Sequence, residues 1–342
     1  MTKVAINGFG RIGRAVFKII IKKFPELEIV AVNDLSEPKT MAHLLRYDTL
    51  YGIYENRVSA DDQFLFIDGV SGGRKVKFLS EKNLLLLPWK DLGVDIVLEC
   101  TGRFREYEEA KKHIDSGAKH VIISAPSRSP EKIASYIIGV NEEDFNPKKN
   151  KIIDISSCTT NALAPVAKIL NDVFGIKKGF MTTIHSYTND QNLLDFPHSD
   201  LRRARAAALN IIPTTTGATK ALGRVIPELE GKIDGISLRV PTPTVSIIDF
   251  FCELKEKTTK EEINYTFKKI SQKERYNRIL GVEDAPLVSS DYVGSAFSSV
   301  IDSSLTMAND NLVKIVAWYD NEWGYSCRLA EFTGLISKHI HA

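Results

Sequence analysis

The chain has 342 residues, 43% of them hydrophobic, enough for two substantial cores and hence two domains. Its 45 basic against 43 acidic side chains leave a formal charge of +2, which excludes the electrostatic footprint of a nucleic-acid or anionic-membrane binder. Four widely separated cysteines, Cys100, Cys158, Cys252 and Cys327, carry neither Cys-x-x-Cys nor metal-ligand spacing, so a reducing compartment and no metal are expected.

Met1-Thr2-Lys3 leads straight into Val4-Ala5-Ile6, with no charged n-region or apolar h-region, and no run reaches the length of a membrane span. A cytoplasmic protein is expected. The apolar strand runs into Asn7-Gly8-Phe9-Gly10-Arg11-Ile12-Gly13, after which Ala15, Val16, Ile19 and Ile20 recur at helical spacing. In such a strand, glycine turn and helix, Gly8 allows the tight turn and Gly10 lets backbone approach a pyrophosphate. Gly13 lets helix and strand pack closely, and the phosphates sit at the helix N-terminus. The next strand, Glu28-Ile29-Val30-Ala31-Val32-Asn33, ends at Asp34, where an acidic ribose ligand belongs.

Alternating apolar residues over 63–79, with Gly69 and Gly72-Gly73, predict hairpins inserted in the sheet. The apolar runs 95–98 and 120–123, with a helical pattern over 106–115 between them, predict parallel strands that end at Thr101-Gly102 and at Ser124-Ala125-Pro126. Strand ends of this kind line a cofactor crevice, which makes Thr101 and Ser124 candidate neighbours of ribose or nicotinamide; ordinary turn chemistry is the alternative.

The run 151–155 predicts a strand and 162–170 an amphipathic helix, with Ser157-Cys158-Thr159-Thr160-Asn161 at the corner between them. A thiol there lies near orphan backbone donors and the positive end of the helix dipole, both of which favour thiolate. A lone cysteine is otherwise a small buried hydrophobe. The strand-like run 180–187 delivers His185, with Thr188 and Asp190 just beyond, and a Cys–His ion pair would supply thiolate and proton acceptor together.

Next come Leu201-Arg202-Arg203-Ala204-Arg205, Pro213-Thr214-Thr215-Thr216-Gly217 and Leu238-Arg239-Val240-Pro241-Thr242-Pro243. Arginine binds phosphate bidentately, and hydroxyls with backbone N–H groups near glycine complete such sites, so two anions are inferred. The first cluster also reads as a solvated surface run. Arg239 interrupts the apolar run of Ile236, Leu238 and Val240 and is expected to be buried with a partner. Strands over 233–254 and 312–319, with a helix over 259–272, predict an antiparallel sheet covered by helices. From Trp323 onward, Leu329, Phe332, Leu335, Ile336 and Ile340 mark an amphipathic helix.

On these segments the chain resembles the phosphorylating glyceraldehyde-3-phosphate dehydrogenases along nearly its whole length. The match includes residues 5–14, residues 157–161, His185-Ser186-Tyr187-Thr188, Arg239-Val240-Pro241-Thr242-Pro243 and Trp318-Tyr319-Asp320-Asn321-Glu322-Trp323-Gly324-Tyr325. The resemblance implies an α/β fold: a Rossmann-type doubly wound sheet over 1–157 that binds NAD, and an α+β catalytic domain over 158–323 with a largely antiparallel sheet. Residues 324–342 would return to the first domain. It further implies Cys158 as nucleophile and His185 as base. Thr188 and Arg239 would hold the phosphate of glyceraldehyde 3-phosphate. Ser157, Thr159, Arg203, Thr216 and Gly217 would hold the attacking inorganic phosphate, with Arg202 and Arg205 as alternatives to Arg203. Gly8, Gly10, Arg11, Ile12, Gly13, Asp34, Lys82, Thr101, Ser124, Asn321 and Tyr325 would surround NAD.

A homotetramer is implied, in which the 180–208 region crosses a subunit interface and Phe196-Pro197 packs towards a neighbour's ribose. Three positions depart from the family's usual residues: Ala162 stands where many relatives carry a second cysteine, Lys82 where arginine is common, and Cys100 where serine is frequent. The rival readings are an erythrose-4-phosphate dehydrogenase and, from another class, a catalytically silent nucleotide-binding or redox-sensing protein.

Overall fold

The structure is a computed structural model that describes residues 1–69 and 73–340. The chain forms two compact units. The first comprises Met1–Tyr136, Glu143–Ser156 and the tail from Ser326; the second comprises Ile137–Glu142 and Ser157–Tyr325.

In the first unit nine strands form one sheet in the order Ala134–Ser135, Ile152–Asp154, His120–Ile123, Ile96–Glu99, Thr2–Asn7, Leu27–Asn33, Arg74–Leu79, Phe64–Asp68, Arg57–Ala60. All pairs up to Arg74–Leu79 are parallel and the last two are antiparallel. Ile96–Glu99 and His120–Ile123 are buried at every residue, as parallel strands covered on both faces must be. Thr2–Asn7 has Leu27–Asn33 on one side and Ile96–Glu99 on the other. The winding therefore reverses at its carboxyl end, where ligands settle in such sheets. The hairpin between Phe64–Asp68 and Arg74–Leu79 agrees with the alternating pattern, although Gly72 lies outside the described residues.

Helix Arg11–Lys23 follows the glycine turn. A Cβ on Gly13 would penetrate the Gly8 carbonyl oxygen, so only glycine permits this helix to sit so close to the strand end. The closing helix, Trp323–Ile340, departs from the one-faced amphipathic reading, and residues 341 and 342 lie outside the described residues. Leu329, Phe332 and Ile336 are buried, but so are Arg328, Thr333 and Ser337 on its other sides. The reason is enclosure: Phe332 stacks on Tyr136 and meets the edge of Phe145, while Ser337 Oγ hydrogen-bonds Thr2 Oγ1 at 2.6 Å.

The second unit holds a sheet in the order Ile212–Thr215, Ile233–Val240, Ile176–Ser186, Ser246–Leu254, Leu312–Tyr319, Ser299–Asp302, Leu280–Glu283, with Met307–Asn309 paired to Leu312–Tyr319. Two of its pairings are parallel and the rest antiparallel. Helices Cys158–Phe174, Ala218–Val225 and Lys260–Ser271 contribute Leu163, Val166, Leu170, Leu222 and Phe267 to a core shared with Met181, Phe250, Cys252 and Ile315 of the sheet. Phe180, Ile236 and Phe251 are left exposed on the sheet. The run around Arg239 is therefore not the buried one expected, because Ile236 faces outward.

Candidate active site

Ser156 adopts φ +58, a left-handed conformation uncommon for a residue with a side chain, and its N–H donates to the buried Asp154 carboxylate at 2.7 Å. This turn ends the strand and lets helix Cys158–Phe174 begin at the cysteine. Ser157 is the N-cap, its Oγ accepting from Thr160 N–H at 3.1 Å. His185 is the penultimate residue of the strand Ile176–Ser186, and its Nε2 lies 3.4 Å from Cys158 Sγ.

The parallel register sets Arg239 directly beside His185. Arg239 Nη1 lies 2.7 Å from His185 Nδ1 and 3.1 Å from the Ser186 carbonyl, which Nδ1 also reaches at 2.7 Å. Two tautomers suit this geometry. With the proton on Nδ1 donated to Ser186 O, Nε2 is an acceptor facing the thiol; with Nδ1 accepting from Arg239, Nε2–H donates to sulfur. Arg239 Nε is buried without a partner, and the groups met by its guanidinium are an imidazole and a carbonyl rather than a carboxylate. An anion would meet that need.

The electrostatics differ from the ion pair expected. Burial pushes the Cys158 thiol up, with the Arg239 charge and the Thr159 hydrogen bonds only opposing it. Burial, then the charges of Arg239 and Arg203, bring His185 down to about 3. Both groups are thus held on their neutral side, because desolvation outweighs the Arg239 charge and hydrogen bonds at the thiol and the Ser186 hydrogen bond at the imidazole. Tyr319, which the motif reading left without a role, completes the pocket. Its hydroxyl bridges Thr159 Oγ1 at 3.0 Å and Thr183 Oγ1 at 2.8 Å, and its ring meets His185 edge-on.

Of the three clustered arginines, Arg203 reaches the Thr214-Thr215 segment, through Nε to Thr214 Oγ1 at 3.0 Å and Nη2 to Thr215 O at 3.3 Å, and it also pairs with Asp190. Arg205 instead pairs with exposed Asp195, and Arg202 lines a surface groove with Thr214 and Thr215. Thr216 Oγ1 accepts from Ala218 N–H, and Gly217 caps helix Ala218–Val225 with open space where a Cβ would stand. Thr188 is held by Gln191, whose Oε1 accepts from its N–H at 3.3 Å. Asn321 Oδ1 accepts from Ser186 Oγ at 2.9 Å and Ser246 Oγ at 3.0 Å, which turns its amide nitrogen away as a donor. Ser246 follows Val245, whose φ of +65 is an outlier for a β-branched residue. Tyr325 is buried at the start of the closing helix.

In the first unit a cavity of about 450 Å³ is lined by Gly8, Gly10, Asp34, Lys82 and Thr101, together with Asn7, Asn33, Leu35, Glu81, Leu84, Cys100, Arg103 and Phe104. The residues fit a dinucleotide. Gly10 has open space where a Cβ would stand, and as N-cap of helix Arg11–Lys23 it offers no side chain to the orphan N–H groups of the first turn. Asp34 Oδ2 accepts from Phe9 N–H and Oδ1 from Ser36 N–H, leaving a lone pair on each oxygen for a ribose hydroxyl.

Arg11, Ile12, Gly13 and Ser124 do not line this cavity. Arg11 pairs with Asp48 at 2.6 Å and lies over the Tyr51 ring; Gly13 serves helix packing; Ser124 hydrogen-bonds the Cys100 thiol, which burial raises to about 12. Asn7, Asn33 and Glu99 were missed from sequence. Their signal was a polar or charged residue closing an otherwise apolar strand.

A glycine-turn nucleotide sheet and a half-buried thiol against a buried imidazole define an NAD-dependent oxidoreductase. Residues 2–107 match the family model described as glyceraldehyde 3-phosphate dehydrogenase, NAD binding domain, and residues 157–321 match the model of its C-terminal domain. The glyceraldehyde-3-phosphate dehydrogenase of Streptomyces coelicolor is 50% identical over 339 residues, 99% of each chain. That of Geobacillus stearothermophilus is 50% identical over 337 residues, 98% of each, and glyceraldehyde-3-phosphate dehydrogenase 2 of Synechocystis is 48% identical over 341 residues, 99% of each. The chain belongs to the glyceraldehyde-3-phosphate dehydrogenase family, and its cofactor is NAD.

Proposed function

We propose that this chain oxidises glyceraldehyde 3-phosphate with NAD and inorganic phosphate to 1,3-bisphosphoglycerate, the first unit serving as cofactor domain and the second as catalytic domain. The observation that carries the chemistry is Cys158 Sγ at 3.4 Å from His185 Nε2 with the Arg239 cation behind the imidazole. His185 takes the thiol proton as Sγ adds to the aldehyde carbon, and returns it to the carbonyl oxygen to give a thiohemiacetal. His185 then removes that hydroxyl proton as a hydride leaves carbon, and a thioester remains on Cys158. NAD, when bound, accepts the hydride. Phosphate oxygen attacks the thioester carbon, the C–S bond breaks, and the sulfur is released to recover its proton from His185.

Two anions therefore have to be held around one thiol. Arg239 and Thr188 suit the substrate phosphate. Arg203, Ser157, Thr159, Thr216 and Gly217 suit the attacking one, with Asp190 yielding the Arg203 guanidinium. Steady-state turnover tests the reading: NADH should accumulate with glyceraldehyde 3-phosphate only when phosphate or arsenate is supplied. Sustained turnover with neither acceptor would overturn it.

The same reading makes the enzyme a cytoplasmic homotetramer. Among the described residues no helix is long and apolar enough to cross a membrane. Leu193 and Leu201 are 83% and 82% exposed, and Leu194, Phe196, Leu209 and Ile211 are exposed near them in sequence. Such apolar exposure marks a surface that a partner covers. Sedimentation equilibrium should return four chains, and a monomer would refute that part of the proposal.

A further inference from the structure

We propose that Glu99 is a positioning residue for NAD, acting through the Thr101 turn and Asn7 rather than by touching the cofactor. This rests on the reading of the first unit's cavity as the NAD site.

Glu99 closes the strand Ile96–Glu99 and is only 1% exposed, yet it does not line the cavity. Its carboxylate accepts from every polar group that faces it. Oε1 takes Thr101 N–H at 2.8 Å and the Thr101 hydroxyl; Oε2 takes Asn7 Nδ2 at 2.6 Å and His113 Nε2 at 3.1 Å. The tautomer of His113 follows from its other neighbour. Trp89 Nε1 lies 3.0 Å from His113 Nδ1, and an indole N–H can only donate, so Nδ1 accepts and the ring proton sits on Nε2, pointing at Glu99. Trp89 and His113 are themselves fully buried and, like Glu99, lie outside the cavity lining.

The chain continues towards the ligand. Asn7 has its amide fixed by Glu99, so its Oδ1 is free to accept from Asn33 Nδ2 at 2.7 Å. Asn33 in turn clamps Glu81, donating to its carbonyl and accepting from its N–H, both at 2.8 Å. Asn7, Asn33, Glu81 and Thr101 all line the cavity. Thr101 N also stands 2.6 Å from where a Gly8 Cβ would be, so the turn that Glu99 fixes abuts the glycine turn itself. One carboxylate thus sets two walls of the cavity, and each amide orientation along the relay is dictated by the one before it.

Glu99→Gln preserves volume but removes the charge and replaces one of two acceptor oxygens by an amide N–H, which the Thr101 hydroxyl can accept but Thr101 N–H, Asn7 Nδ2 and His113 Nε2–H cannot, so the two walls are no longer both held. NAD dissociation constants from calorimetry, steady-state constants, thermal midpoints and iodoacetamide labelling of Cys158 are to be compared with wild type. The expected result is a rise of about tenfold in the NAD dissociation constant and in KM for NAD, the effect of losing one hydrogen bond to a charged group. The loss should fall on KM for NAD more than on kcat, with the labelling rate within about twofold of wild type. A lowered thermal midpoint with NAD affinity unchanged would mean a merely structural role and overturn the proposal.

If Glu99→Gln does not fold, Trp89→Phe decides. The change removes the indole N–H together with part of a buried ring, which frees the His113 tautomer and should weaken NAD about threefold; unchanged affinity would be fatal. Wild-type protein that binds NAD but does not oxidise glyceraldehyde 3-phosphate would fail the proposed function and leave this test standing. Wild-type protein that binds no NAD would remove both.

Discussion

The two units solve recognition by different means. At its glycine corner the first unit's cavity is shaped by backbone, with Gly8, Gly10 and Gly13 in one turn and Asp34 tying its oxygens to Phe9 N–H and Ser36 N–H, while its other walls come from separate strand ends through Asn7, Asn33, Glu81 and Thr101. The thiol site is assembled from side chains on separate elements, with Cys158 on a helix, His185 and Arg239 on paired strands and Tyr319 on a third. Backbone geometry needs only the right residue at each position and tolerates variation around it. A side-chain constellation fails when any one member goes, so the second unit should be the more fragile in function.

The largest expected effect breaks the second site alone. Cys158→Ser should lower turnover by about a thousandfold or more, because a serine hydroxyl is far less acidic than a thiol and a poorer nucleophile beside the same imidazole. NAD affinity and thermal midpoint should stay near wild type, and activity within tenfold of wild type would refute the assignment. Arg239→Leu comes next. It should cut kcat/KM for glyceraldehyde 3-phosphate about a hundredfold and for unphosphorylated glyceraldehyde about threefold at most, since the lost contact exists only for the phosphoester. Equal losses on the two substrates would make Arg239 structural.

Those two sites were legible in sequence to different depths. The glycine turn, Asp34 and the apolar strands could be read because their determinants are local: spacing, strand alternation and turn chemistry. Cys158 and His185 were legible as motifs. What escaped was anything decided by distant packing. Tyr319 reaches Thr159 across 160 positions, and Glu99 reaches Asn7 across 92. The protonation state of the pair escaped too. A helix N-terminus argues for thiolate, but the extent of desolvation around Cys158 and His185 is a property of the whole fold.

That desolvation makes the third prediction. His185 lies at about 3 in the folded protein against 6.5 in an unstructured chain. Between those values the unfolded chain binds a proton that the folded chain refuses, so this contribution is complete above pH 6.5 and is lost as pH falls towards 3. The slope is at most about 1.4 kcal/mol per pH unit. His185→Asn has no such proton to exclude. Urea titrations at pH 7 and pH 4.5 should find wild type losing about 2–3 kcal/mol more than the variant between the two. Parallel losses would mean that His185 titrates near its ordinary value.

The smallest effect, and the sharpest test of the backbone-built site, is cofactor choice. Asp34 has both oxygens fixed by backbone N–H groups, so under the proposed function it would present a rigid acceptor to ribose hydroxyls and a like charge to a 2′-phosphate. Phe196 and Pro197 are exposed, and the family resemblance would pack them towards a neighbouring subunit's ribose. Asp34→Gly should shift the NADP-to-NAD ratio of kcat/KM upward by about tenfold, partly by removing repulsion and partly by loosening the Phe9 turn that favours NAD. Pro197→Ser alone should shift it less. Because both would act on one ribose, the double variant should exceed the product of the single changes. A strictly multiplicative double variant would separate the two positions, and wild-type turnover with NADP close to that with NAD would show that neither discriminates.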